Sequence, residues 1–101
     1  MEIRWTEAAN QSLDAIFCFC KERGEQAANR IICDIFDAAR RLAVFPQMAS
    51  VEPSLGGQSE TFRALQVRNR YKIIYYVDEL AGKVIIVTVW DCRRNPEKLT
   101  N

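Results

Sequence analysis

The stretch "VIIVTVWDCRRNP", residues 84–96, starts as a near-continuous apolar run and ends in Asp91, Cys92, two adjacent arginines, Asn95 and Pro96. Its density of β-branched side chains predicts a strand over 83–90 that is largely buried. The polar end then has two readings. Arg93 and Arg94 are solvated strand-end charges within reach of Asp91 or Glu97, or they are cations that a rigid sheet presents to an anion.

Working outward from that strand, two similar segments precede it at hairpin spacing. They are "TFRALQVR" (61–68) and "RYKIIYYV" (70–77), with Asn69 and "DELAG" (78–82) as the turns. An antiparallel meander follows. Before it, "PQMASVEPSLGGQS" (46–59) is rich in proline, glycine and serine and reads as loop.

Further upstream the hydrophobic period changes from two to the helical one. Ala9, Leu13, Ile16, Phe17 and Cys20 form one apolar stripe, and Ala28, Ile31, Ile32, Ile35, Ala39 and Leu42 form another. Gly24 stops the first helix, and Pro46 lies beyond the second. So short a connection folds the pair back as an antiparallel hairpin. "IRW" (3–5) reads as a strand, and Thr6 with Glu7 as a helix start. The expected fold is α+β: an N-terminal strand, then an antiparallel helical hairpin packed on a small antiparallel sheet, in one domain spanning 1–101.

A chain of 101 residues, 49% hydrophobic and 27% charged, has the makings of one globular core. It contains no apolar run of the roughly 20 residues a membrane helix needs. The N-terminal residues lack the basic and apolar regions of a secretion signal, and four cysteines without a disulfide pattern fit the reducing cytoplasm. The net charge of +1 disfavours broad nucleic-acid affinity. Its distribution is uneven, with six basic and eight acidic residues over 1–59 but eight basic and five acidic over 60–101.

Side chains alternate across a strand. Ile73, Tyr75 and Val77 make the better core set, which leaves Lys72 and Tyr76 on the opposite side. With in-order pairing, Arg63 and Arg93 are expected to join Lys72 on one exposed sheet surface suited to phosphate. Cys18 and Cys20 point about 200° apart on a helix, so they share neither a disulfide nor a metal. Cys20 and Cys33 read as small core hydrophobes, Trp90 as core, and Cys92 as a neighbour of the basic surface. No zinc spacing exists, so no metal or cofactor is expected. Gly56–Gly57 lacks the lysine of a phosphate loop.

"FRAL", "RYKIIYYV" and "VTVWDCRRNPEKL", preceded by a helix pair ending in "RLAVFP", together resemble the RelE/ParE superfamily of bacterial toxins along essentially the whole chain. The resemblance implies a toxin of a type II toxin–antitoxin (plasmid stabilization) module that is neutralised by a cognate protein antitoxin. It also implies one of two mechanisms. RelE-like members act at the ribosome as metal-independent endoribonucleases (mRNA interferases). For that branch Arg63, Lys72 and Arg93 correspond to the catalytic cations, and Arg68, Arg70, Arg94 and Tyr76 to contacts with RNA or another target. ParE-like members bind and poison DNA gyrase without chemistry of their own. The sequence departs from the ribonuclease pattern at Leu65, where a second strand lysine is expected, and at Leu99, where a tyrosine is expected, and it has no histidine. Ribosome-dependent mRNA cleavage is the first reading at this point, with gyrase inhibition and an inactive antitoxin-binding relative as the alternatives.

Overall fold

The computed structural model describes residues 1–52 and 61–93. Arg94, Leu99 and the Gly56–Gly57 pair lie outside the described residues. The elements are β1 (Glu2–Trp5), α1 (Glu7–Lys21), α2 (Glu25–Arg41), β2 (Ser50–Val51), β3 (Arg63–Val67), β4 (Tyr71–Asp78) and β5 (Lys83–Asp91). The strands form one sheet in the order β1-β5-β4-β3-β2. The meander β3-β4-β5 is antiparallel, as its hairpin spacing requires, but β1 joins β5 in parallel and makes the sheet mixed. The short β2 was hidden in a stretch rich in turn formers; it pairs antiparallel with the start of β3.

The two helices form as their stripes dictate. Thr6 caps α1 by accepting the Ala9 N–H at 3.1 Å. The chain reverses at Gly24, whose φ of +133° is open to glycine at little cost. Ala9, Leu13, Ile16 and Cys20 on α1, with Ala28, Ile35, Ala38, Ala39 and Leu42 on the second helix and its exit, bury against Tyr71, Ile73, Tyr75, Val84, Ile86 and Val89 of the sheet. The expected core side of β4 is therefore right, with Tyr71 added and Val77 only half-buried. Cys33 is instead exposed, because it falls just off the α2 stripe.

The strand that opened the sequence reading holds an irregularity that alternation conceals. Tyr75 pairs with Ile86 but Ile74 with Thr88, so Val87 is one residue extra in β5. Such a bulge shifts every later side chain to the other face. Before it the inward residues are Val84 and Ile86; after it they are Val89 and Asp91. Trp90 is therefore not in the core, contrary to expectation, and lies half-buried on the face away from the helices.

Helix α1 compensates the disturbed ladder. The Thr6 hydroxyl lies 2.9 Å from the Ile86 carbonyl and 3.0 Å from that of Val87. The Ser12 hydroxyl accepts the Val89 N–H at 3.0 Å and donates to the Ala9 carbonyl at 2.7 Å. Buried backbone groups need such partners.

Neighbouring residues on α2 provide a test of this packing. Ile35 is fully buried, whereas Phe36 is 40% exposed and touches Trp5 edge-to-face. Ile35→Ala is expected to cost about 2–5 kcal/mol through cavity formation, and Phe36→Ala clearly less. Thermal unfolding of the two variants checks the order.

Candidate functional site

The β3–β4 register divides the sequence-predicted cations between two faces. On β4, Lys72 pairs with Gln66 on one side and Trp90 on the other, so these three side chains share the open face, away from the helices. Arg63 stands opposite Tyr75 and so belongs to the helix face. There its guanidinium donates to the Ala49 carbonyl at 2.7 Å. Arg63 and Lys72 do not converge on one surface.

Lys72 is also not a bare cation. Its Nζ lies 3.3 Å from Oε1 of Glu52, whose side chain is only 9% exposed. Glu52 follows β2 at the sheet edge and is anchored by its backbone N–H to the Phe62 carbonyl at 2.9 Å. Sequence reasoning passed over this acid because it sits beside Pro53 in a segment read as loop. Tyr76 lies on the open face too, edge-to-face with Phe62 at 5.7 Å between ring centroids.

Arg70, at the end of the hairpin turn, is an internal group. Its Nε and Nη2 each lie 3.3 Å from a carboxylate oxygen of Asp91, in a bidentate pair. Only 15% of the Arg70 side chain and 4% of that of Asp91 is exposed. The guanidinium lies 5.3 Å from the centroid of the Tyr71 ring and 5.9 Å from that of Phe19, both within cation–π range. The hydrogen bond to Asp91 holds the Arg70 pKa up. Desolvation raises the Tyr71 phenol far above its ordinary range, and its hydroxyl lies 3.5 Å from the Cys20 sulfur. Arg68 takes the left-handed conformation in the β3–β4 turn with Asn69 and reaches the Asp34 carboxylate on α2. In this two-residue turn the Arg70 N–H bonds to the Val67 carbonyl.

Asp91 also accepts the Arg93 backbone N–H at 3.1 Å, and the Cys92 N–H donates to the Arg70 carbonyl at 2.8 Å. The chain therefore leaves β5 in a fixed direction, with Arg93 exposed. Cys92 is half-buried in the neighbourhood of Lys72, Asp91 and Glu52. Burial pushes its thiol pKa up, the two carboxylates add to the shift, and Lys72 opposes it. A thiol held in its protonated form is a poor nucleophile.

No histidine exists in the chain, and the most strongly perturbed tyrosine, Tyr71, is buried on the helix side. Among the described residues, no group of three or more His, Cys, Asp and Glu side chains is placed to hold a metal ion. No described helix is long and apolar enough to cross a membrane.

The family model for the ParE toxin of the type II toxin–antitoxin system parDE matches residues 3–96. The chain belongs to the ParE toxin family. No curated protein matches it. Among solved structures, a chain of the chromosomal ParDE toxin–antitoxin system from P. aeruginosa is 19% identical with a TM-score of 0.74, over 90% of this chain and 95% of that one. A chain of the toxin–antitoxin complex RelBE2 from Mycobacterium tuberculosis is 18% identical with a TM-score of 0.66, over 89% and 95% of the two chains. The ParE-family toxin thus has the α+β fold common to the RelE/ParE superfamily, and Arg63, Arg68, Arg70 and Lys72 are each bonded within that fold.

Two outcomes follow for this toxin. Asp91→Ala leaves the Arg70 guanidinium buried without its bidentate partner and is expected to destabilise the fold by about 3–5 kcal/mol, measured by denaturant unfolding. In timed alkylation near pH 8, the exposed Cys18 and Cys33 react before Cys92. The Cys92 rate continues to climb above the ordinary thiol midpoint of about 8.5. Peptide mapping by mass spectrometry reads both effects.

Proposed function

We propose that this ParE-family toxin arrests growth by binding DNA gyrase, without cleaving RNA, and that a cognate protein antitoxin holds it inactive. The observation that carries this reading is the Lys72–Glu52 ion pair. Lys72 occupies the position that corresponds to the strand arginine of the ribonuclease branch, and there a buried carboxylate faces the cation. A phosphate brought to Lys72 meets the repulsion of Glu52 and would have to displace an existing ion pair. Arg63, tied to the Ala49 carbonyl on the other face, supplies no second cation.

Transition-state stabilisation of phosphoryl chemistry needs positive groups aimed at one developing charge. The separation of Arg63 from Lys72 works against that. Arg93 remains as an exposed cation at the end of β5, and we assign it to target contact. The near-neutral charge of the chain suits a protein target better than dense ribosomal RNA. The antitoxin reading draws on the similar chains, which come from the ParDE system and the RelBE2 complex.

Pulse-labelling after induction of the toxin without antitoxin separates the mechanisms. DNA synthesis is expected to fall first, with purified toxin lowering gyrase supercoiling. If protein synthesis stops first and messages are cut on the ribosome, the ribonuclease reading replaces this one. If neither falls, the chain is an inactive relative.

A further inference from the structure

The end of the sheet remote from Asp91 carries an apolar surface that the fold does not use. Three connections assemble it. The N-terminal ammonium of Met1 donates to the Ala43 carbonyl at 2.7 Å, the Glu2 N–H to the Gly82 carbonyl at 3.3 Å, and the Gln47 side-chain amide to Glu79 at 3.4 Å. They draw the start of β1, the exit of α2 and the β4–β5 turn together. Of the large apolar side chains exposed among the described residues, most lie here: Val44 is 70% exposed, Phe45 66%, Met48 44%, Met1 45% and Leu80 103%. Single exposed apolar residues are ordinary, but a cluster at one end marks an interaction surface.

The surface has relief as well as apolar character. A depression of about 360 Å³ is formed by residues 44–48. A second, of about 530 Å³, is lined by Asp78, Glu79 and Leu80 together with Tyr76 and Arg63. Gln47 lines both, so the two adjoin. The Arg63 guanidinium is already bonded to the Ala49 carbonyl, whereas Asp78 and Glu79 carry negative charge at the rim. We infer that this end docks a segment of the toxin's target protein that presents an apolar anchor residue beside a lysine or arginine. The apolar side chain enters between Phe45 and Met48, and the basic one meets Asp78 and Glu79.

The choice of occupant rests on charge. The two carboxylates repel the phosphates of nucleic acid and of anionic lipid. In a two-fold dimer of this chain they are drawn towards their own copies, which opposes self-association. A basic, apolar protein segment is attracted by both parts of the surface. The inference builds on the proposal that the toxin works by binding, and it names the surface that does so.

The test compares wild type with Phe45→Ser/Leu80→Ser and with Glu79→Lys. Each is assayed for growth arrest, inhibition of purified gyrase, binding to the antitoxin and thermal unfolding. The substituted side chains are exposed, so unfolding and antitoxin binding are expected to stay at the wild-type level. Growth arrest is lost, and half-inhibition of gyrase takes roughly tenfold more toxin or beyond, as expected of anchor residues. Glu79→Lys, which removes no apolar contact, keeps the test open should the double variant fail to fold. Full growth arrest by folded variants overturns the inference. So does loss of antitoxin binding in parallel, which makes this the antitoxin's surface, and so does a wild-type dimer that the double variant dissolves. A wild-type toxin that arrests growth without touching gyrase refutes the proposed target alone. The docking surface is then still decided by whether the variants arrest growth.

Discussion

The extra residue at Val87 decides what each face of this sheet does. A strand of nine residues with strict alternation would bury Thr88 and Trp90 beneath the helices and turn Asp91 to the open side. With one residue inserted, Val89 fills the core and Asp91 turns under the sheet toward Arg70. Trp90 and Lys72 share the open face. The insertion is held from the helix side by Thr6 and Ser12, the first a helix cap and the second within the helix. The start of α1 and the irregularity of β5 are thus one structural unit.

Two carboxylates then engage two of the cations of the C-terminal half. Asp91 takes Arg70 bidentately and also holds the Arg93 backbone, so the outgoing chain and the hairpin turn are clamped together. Glu52 takes Lys72 on the open face. Buried pairs of this kind contribute modest net stability, since desolvation offsets much of their attraction. Their larger consequence is that neither cation is free for an incoming phosphate. A toxin built this way fits action through surface complementarity better than through an assembled catalytic centre.

Much of the architecture was legible in the residues. The two helical stripes, the glycine between them and the three strands at hairpin spacing are local signals, and each formed where it was expected. The family resemblance carried the same order of elements and agrees with the matched family. What failed were inferences that depend on register. Trp90 was placed in the core because nothing in "KVIIVTVW" marks a bulge: valine, isoleucine and threonine suit either face of a strand. Arg63 and Lys72 were expected together, but odd and even positions on paired strands point to opposite faces. The Glu52 partner came from a segment rich in proline and glycine, where pairing has no periodic signature. Arg70, which the resemblance assigns to contact with RNA or another target, is held instead by an acid 21 residues on that no local pattern announces.

The most direct measurement is the thermal unfolding of the chain with Val87 deleted. Removing it lets Thr88 follow Ile86 directly, so the pairs with β4 keep their register, Val89 and Asp91 stay inward, and Thr88 and Trp90 stay on the open face. Cooperative unfolding is expected to persist, since the core and the Arg70–Asp91 pair are kept and only the Thr6 contact with the Val87 carbonyl is lost. A deletion variant that has lost cooperative unfolding would contradict the claim that Val87 is the one extra residue around which the two faces of the sheet are set.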